Sequence, residues 1–179
     1  MSAPVRIVDY DPDLPLEFEA ERRGILAAVD GGISTVIHIG STAVPGLCAK
    51  PIVDIMAGVT GLGEAEALLP SLAELGYDDV TRIDDSDEWF YCLGKAPEKP
   101  SDAMRYFHLH LVREGSDDWN RHVNFRDYLR IHTETAADYC TLKRRLAGRF
   151  RDQRELYTES KTRFIREVEA KALDELKEA

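Results

Sequence analysis

The stretch HIGSTAVPGLCAKPIVDIM, residues 38–56, joins two short apolar runs through glycine, hydroxyl, proline and charged residues. The β-branched run over residues 34–39 and the apolar run over residues 51–59 both indicate strands. The second run is apolar at nearly every position, which predicts a strand buried on both faces. The two predicted strands are therefore joined by a segment rich in turn-forming and polar residues, and the second strand carries a carboxylate.

The segments on either side of this stretch alternate between helical and strand patterns. Apolar residues at helical spacing predict helices, and short β-branched or aromatic runs predict strands. The predicted helices are residues 13–29, 63–75, 118–131, 134–150 and 154–177, and the other predicted strands are residues 5–10, 77–83, 88–94 and 104–112. We therefore expect an α+β fold, in which a core of residues 1–115 holds a mixed β-sheet with flanking helices and residues 116–179 form a helical segment packed on it.

Composition and charge limit the classes of partner. No apolar run of the 179 residues approaches the roughly 18 needed to span a bilayer, and the N-terminus has no apolar signal-peptide core. We therefore expect a cytoplasmic protein with no membrane partner. Residues 1–104 hold 7 Lys/Arg and 19 Asp/Glu, against 16 and 14 in residues 105–179. The acidic half would repel duplex nucleic acid, so we expect no such partner, and the basic run at 143–154 is either a solvated helix face or a wall that faces phosphates.

The chain has three cysteines, Cys48, Cys92 and Cys140. Their number is odd, they are far apart, and they form no Cys-x-x-Cys pair. We therefore expect three free thiols.

The residues between the first two strands suit a phosphate group. Gly40 lets backbone amides approach a ligand closely, and the hydroxyls of Ser41 and Thr42 offer donors. If these two residues begin a short helix, its free N–H groups face the anion as well. Lys50 adds a positive charge, and Asp54 could hold a divalent cation that bridges the same phosphates.

A purely structural interpretation of the same residues stays open. Gly40 would then end a strand, Pro45 and Gly46 would form a turn, and Asp54 would be tied to backbone amides. A carboxylate inside an apolar strand is costly to bury without a partner, which favours a role for Asp54.

A second group of candidate residues lies in RYFHLHLV, residues 105–112. On a strand His108 and His110 share one face, and they converge with Asp54 if the two strands are neighbours. Two histidines and a carboxylate suit a transition metal, or a base beside a phosphate. Hydrogen-bonded structural histidines are the alternative. Arg105 is a further candidate phosphate ligand.

Five blocks of the sequence together resemble the GrpB family, whose members occur alone or fused to dephospho-coenzyme A kinases. The blocks lie at residues 38–55, 108–112, 125–130, 139–143 and 157–165, in the family's order. The resemblance implies a nucleotidyltransferase-like fold, similar to the polymerase β superfamily. Gly40 and Ser41 match that superfamily's glycine–serine pair and Asp54 matches its first carboxylate, whereas Met56 and the histidines stand where further carboxylates are expected.

The resemblance and the residues together suggest three functions. The first is nucleotidyl transfer from a nucleoside triphosphate to a small acceptor, with Asp54 on a divalent cation, Mg²⁺ before Zn²⁺ or Mn²⁺, and His108 or His110 as base or metal ligand. Lys143 and Lys161 would then reach the phosphates from the helical half. The second is a non-catalytic module that binds a nucleotide or another phosphorylated small molecule, which Met56 favours. The third is a metal-dependent hydrolase that uses Asp54, His108 and His110.

Overall fold

The computed structural model describes residues 4–83, 87–97 and 106–178. A short 3₁₀ helix, Ser41–Ala43, follows the first strand, which bears out the predicted short helix at Ser41. In chain order the other elements are α1 (Leu14–Ala28), β1 (Thr35–Ile39), β2 (Ile52–Val59), α2 (Leu62–Glu74), β3 (Asp79–Arg82), β4 (Trp89–Lys95), β5 (Tyr106–Arg113), α3 (Asp117–Ile131), α4 (Thr133–Arg149), α5 (Arg154–Glu159) and α6 (Thr162–Glu178).

The strands form one mixed sheet in the order β1-β2-β5-β4-β3. Strands β2 and β5 are parallel neighbours, and the other three pairs are antiparallel. Within β2, Asp54 is the one residue that is not buried. The predicted α+β fold, with a central strand buried on both faces, is therefore confirmed.

Apolar side chains cover both faces of the sheet. On one face, α1 and α2 pack on the central strands through a cluster that includes Phe18, Ile25, Leu72, Ile55 and Leu109. On the other face, Trp119 of α3 packs on Ile39, Met56 and Val112. A third cluster joins the loop after the short 3₁₀ helix to α3, α4 and α6 through Val44, Leu47, Leu129, Tyr139 and Val168. The C-terminal helices therefore lie against the face that carries Asp54.

The expected strand over residues 5–10 is wrong, because this segment makes a single bridge, Val8 to Ala49. Val8 and Ala49 exchange two backbone hydrogen bonds, at 2.8 and 3.0 Å. The next such pair would join Arg6 to Pro51, whose nitrogen has no hydrogen to donate. The ladder therefore cannot extend in that direction.

The expected helix over residues 154–177 is two helices, α5 and α6, with a break at Ser160 and Lys161. The two helices bury their apolar residues in different places. Tyr157 of α5 packs on Val5 and Leu146, whereas Val168 of α6 packs with Tyr128 and Tyr139. Helical periodicity alone does not reveal this change of partner.

The expectation of three free thiols is wrong for two of them. Cys48 and Cys140 form a disulfide with a Cα–Cα distance of 5.5 Å, and Cys92 is a free cysteine. The loop after the short 3₁₀ helix folds back against α4, and this brings together two residues 92 positions apart. No spacing along the sequence shows that contact.

In the described part of the chain, none of the helices has the length and apolar character needed to span a lipid bilayer. The domain division at residue 115 stays a prediction. The structure adds that α3, just after this boundary, packs on β1 and β5.

Candidate functional site

Two arginines of α3 hold the end of β1 and the loop that follows it. Arg126 donates to the backbone oxygen of His38 at 2.9 Å, and Arg130 donates to that of Ala43 at 3.0 Å. The His38 ring also stacks on Phe18, with a centroid distance of 4.9 Å, and its Nε2 lies 3.0 Å from Thr42 Oγ1. These contacts hold the residues that follow β1 next to the Asp54 side chain.

Gly40 is the point of closest approach between this loop and Asp54. Its φ is +70°, and a Cβ there would lie 2.7 Å from Asp54 Oδ2. Both the left-handed backbone and the missing side chain therefore require glycine. The loop and the carboxylate are thus in van der Waals contact, as the phosphate-site hypothesis requires.

Asp54 meets both histidines of β5, as predicted from the strand alternation. In the β2–β5 register Asp54 lies opposite His108, and Met56 lies opposite His110. Asp54 Oδ1 lies 3.3 Å from His108 Nδ1 and 3.8 Å from His110 Nε2. The three side chains converge because β5 is the direct parallel neighbour of β2.

Asp54 and His110 are each held in the charged form by their contacts. Burial alone would raise the pKa of the Asp54 carboxyl, but the contacts with His108 and His110 outweigh it and hold that pKa well below its usual range. Burial opposes charge on His110, yet the Asp54 carboxylate and the neighbouring Cys92 raise the pKa of His110 to about 9. For both Asp54 and His110, the contacts with neighbouring side chains outweigh the cost of burying the charge.

A cavity of about 210 Å³ opens between Asp54 and helices α3 to α6. The predicted residues that line it are Gly40, Ser41, Thr42, Lys50, Asp54, Lys143 and Lys161. His108 and His110 adjoin it through Asp54. Arg105 lies outside the described residues. The structure thus brings seven of the ten predicted site residues to one cavity.

Three lysines give this cavity its electrostatic character. Lys143 is only 2% exposed and donates hydrogen bonds to Ser41 Oγ, at 2.8 Å, and to the backbone oxygen of Cys48. Burial, with Lys161 and Lys50 nearby, lowers the pKa of Lys143 to about 7. Burial and Lys50 likewise lower the pKa of Lys161 to about 8, and burial lowers that of Lys50. Lys50 and Lys161 make Lys143 harder to charge, and Lys50 has the same effect on Lys161, so the cavity favours an anion.

Two tyrosines that begin the family blocks at residues 139–143 and 157–165, but were not predicted as site residues, line the cavity beside these lysines. The Lys143 ammonium lies 4.5 Å from the ring centroid of Tyr139, and that of Lys161 lies 4.6 Å from the ring centroid of Tyr157. In both pairs the tyrosine precedes the lysine by four residues, the spacing that brings side chains together on a helix. That repeated Tyr-x-x-x-Lys spacing is the signal that could have identified them.

Comparison with known proteins places the chain in a family. The family model described as GrpB protein matches residues 4–171. The chain belongs to the GrpB family. A UPF0157 protein of Halalkalibacterium halodurans is 32% identical over 171 residues, which cover 96% of this chain and 84% of that protein. The crystal structure of a conserved GrpB protein from Enterococcus faecalis has a TM-score of 0.81 and 29% identity, and the match covers 96% of this chain and 99% of that one.

A more distant relative carries an enzyme name. A dephospho-CoA kinase of Mycolicibacterium paratuberculosis is 26% identical over an alignment of 197 positions. The alignment covers 96% of this GrpB chain and 47% of that protein. The match therefore spans about half of that kinase.

Other cavity residues of this GrpB chain complete the wall. Phe125 and Ile165 are apolar, whereas His122 and Glu169 are polar. His122 Nδ1 lies 2.8 Å from the backbone oxygen of Asp118, and burial lowers the pKa of His122. Phe125 and Ile165 lie in the family blocks at residues 125–130 and 157–165 but were not predicted as site residues, and nothing in the spacing of His122 and Glu169 distinguishes them from ordinary helix residues.

The Mg²⁺ that the nucleotidyltransferase resemblance implies does not fit the donors on this face of the GrpB sheet. Mg²⁺ requires oxygen ligands in near-octahedral geometry. Met56, at the position of a second carboxylate, is fully buried and packs on Trp119. The neighbours of Asp54 are two imidazoles, and Glu169 across the cavity pairs with Arg121 at 3.4 Å. We therefore assign no Mg²⁺-dependent step.

Proposed function

We propose that the chain binds a nucleotide or another phosphorylated small molecule in the cavity between the sheet and helices α3 to α6. The observation that carries the proposal is the convergence of Lys50, Lys143 and Lys161 on one cavity. Because nucleoside triphosphates are abundant in the cytoplasm, the proposal includes a cytoplasmic location.

The lysine pKa values supply the physical reason for an anionic ligand. Burial and neighbouring lysines lower the pKa of Lys143 to about 7 and that of Lys161 to about 8, so at neutral pH Lys143 carries about half of its charge and Lys161 carries most of it. A phosphate group would supply the missing counter-charge, and its oxygens would accept charge-assisted hydrogen bonds. Ligand binding would therefore draw protons onto these lysines.

A second candidate is nucleotidyl transfer to a small-molecule acceptor, and the contact of Gly40 with Asp54 favours it. That contact sets a glycine–serine pair beside a carboxylate, as in the superfamily that the sequence resembles. The relative named dephospho-CoA kinase supports a reaction that uses a nucleotide. In such a reaction the lysines would stabilise the phosphate charge, and His108 would take the proton from the acceptor hydroxyl.

Calorimetric titration with ATP, in EDTA to remove divalent ions, tests the binding proposal. We expect ATP to bind, and expect Lys143→Met and Lys161→Met each to lower the affinity by roughly 10-fold or more, because each removes a charge-assisted hydrogen bond. Lys171→Met, on the exposed side of α6, is the matched control and retains wild-type affinity. No binding of ATP or of inorganic triphosphate, or equal affinity in all four chains, would contradict the proposal.

Pyrophosphate release from ATP in the presence of a mixture of hydroxyl-bearing small molecules tests the transfer candidate. We expect release that depends on Asp54 and is lost in Asp54→Asn. Binding without release would leave the phosphate-ligand proposal standing and would eliminate transfer to the acceptors supplied.

A further inference from the structure

Strands β4 and β5 bring a cysteine and two histidines to one face of the sheet, beside the phosphate cavity. Cys92 lies opposite His110 in the antiparallel β4–β5 register, and His108 lies on the same face two residues earlier. One donor atom from each of Cys92, His108 and His110 lies within 4.8 Å of the other two. The three side chains can thus reach a common centre.

Asp54 supplies a fourth donor from the neighbouring strand. Its Oδ1 lies 3.3 Å from His108 Nδ1 and 3.8 Å from His110 Nε2. The four donors come from three adjacent strands of a sheet, so their backbone is rigid. Only side-chain rotation is needed to bring them together.

We propose that Cys92, His108, His110 and Asp54 form a binding site for one divalent transition-metal ion of the Zn²⁺ type. One thiolate, two imidazoles and one carboxylate are the ligand types that tetrahedral zinc accepts, and they are poor ligands for Mg²⁺. Ligands of a tetrahedral zinc ion lie about 3.5 Å from one another, so the observed spacing requires movements of about 1 Å.

The surroundings of His110 support a ligand at this place. Nε2 is the ring nitrogen that faces Asp54, and Nδ1 is buried on the other side of the ring. The ring lies edge-on to Trp89, at a centroid distance of 4.9 Å, and is paired in register with the fully buried Met56. An apolar wall of this kind excludes water from a metal–ligand set.

Co²⁺, which replaces Zn²⁺ and absorbs light, is the most direct probe. The metal-free chain is titrated without reductant, so that the Cys48–Cys140 disulfide stays closed and Cys92 is the free thiol. We expect one Co²⁺ per chain, with the visible bands of a tetrahedral ion and a near-ultraviolet thiolate charge-transfer band. Cys92→Ser should abolish the thiolate band, and His110→Gln should weaken Zn²⁺ binding at least 10-fold.

His132→Gln is the matched histidine control, because His132 pairs with Glu175 at the far end of α3. It should bind Zn²⁺ as the wild type does. Co²⁺ binding without a thiolate band, or equal Zn²⁺ affinity in the wild type, Cys92→Ser and His110→Gln, would overturn the proposal.

Alkylation of the wild-type chain keeps the test decisive if a variant fails to fold. Zn²⁺ should slow the reaction of Cys92 with iodoacetamide, and equal rates with and without Zn²⁺ would contradict the site. All of these measurements omit nucleotide. The metal site can therefore fail while the phosphate-ligand proposal stands, and the reverse also holds.

Discussion

The ammonium group of Lys143 donates a hydrogen bond to Ser41 Oγ at 2.8 Å and so joins α4 to the loop that follows β1. Ser41 and Lys143 are 102 positions apart in the sequence. A ligand in the cavity would meet both groups already in place, so little ordering is required when it binds.

The affinity for ATP should fall as the pH rises from 7 to 9. Lys143 has a pKa of about 7 in the folded chain, and only its charged form attracts the anion. The affinity for ATP should fall by up to roughly tenfold for each pH unit above that pKa. The measurement is the ratio of the wild-type affinity to that of Lys143→Met across the pH range, because the ratio cancels the titration of ATP itself. A constant ratio would show that Lys143 does not supply charge to the ligand.

Gly40→Ala should destabilise the fold by about 2–3 kcal/mol in urea unfolding. The added Cβ would meet Asp54 Oδ2 at 2.7 Å on a backbone with φ of +70°. Gly46→Ala is the matched control, since Gly46 has φ of +78° and open space where a Cβ would lie. Gly46→Ala should therefore lose only the stability that corresponds to the strained backbone. Equal losses in the two variants would mean that the approach of Asp54 to Gly40 has no energetic consequence.

Stability should decrease as the pH falls from 6.5 to 4 because of His38. Burial lowers the pKa of His38 from 6.5 to about 4, with Arg126 and Arg130 acting in the same direction. In this window the unfolded chain binds a proton that the folded chain does not, so acid favours unfolding, by about 3 kcal/mol over the whole range. Urea unfolding of the wild type and of His38→Gln at several pH values measures the effect. Parallel stability curves for the two chains would be the contrary result.

Reduction of the Cys48–Cys140 disulfide should lower the free energy of unfolding by about 2–4 kcal/mol, because the closed loop restricts the unfolded chain. The measurement is denaturant unfolding with and without a phosphine reductant. Cys140→Ser should show the lower stability under both conditions and no response to the reductant. If the oxidised and reduced wild-type chains unfold at the same denaturant concentration, the disulfide does not stabilise the fold.

The sheet and one half of the site could be predicted from local patterns. Strand alternation placed His108 and His110 on one face, and the apolar run around Asp54 indicated a central strand. The prediction also needed β5 to be the neighbour of β2, which is a property of the topology. The β2–β5 register confirms it.

The other half of the site depends on contacts between distant segments. Cys48 meets Cys140, and Lys143 meets Ser41, only because the helices fold back on the loop after β1. The sequence suggested Lys143 through the basic run at 143–154, and both Lys143 and Lys161 through the family resemblance. Spacing on one helix cannot reveal which loop that helix covers, or that residues 160–161 separate two helices with different partners.

The Cys48–Cys140 bond also decides which wall of the cavity is free to move. Lys143 lies less than one helical turn from Cys140. The disulfide and the hydrogen bond to Ser41 therefore fix the α4 wall of the cavity to the loop after β1. The wall that carries Tyr157 and Lys161 has no cysteine to fix it, and it contains the two-residue break between α5 and α6. We therefore expect a solute to enter and leave when the wall that carries Tyr157 and Lys161 moves, and not by movement of α4. During this exchange the disulfide would keep α4 fixed against the loop that follows β1.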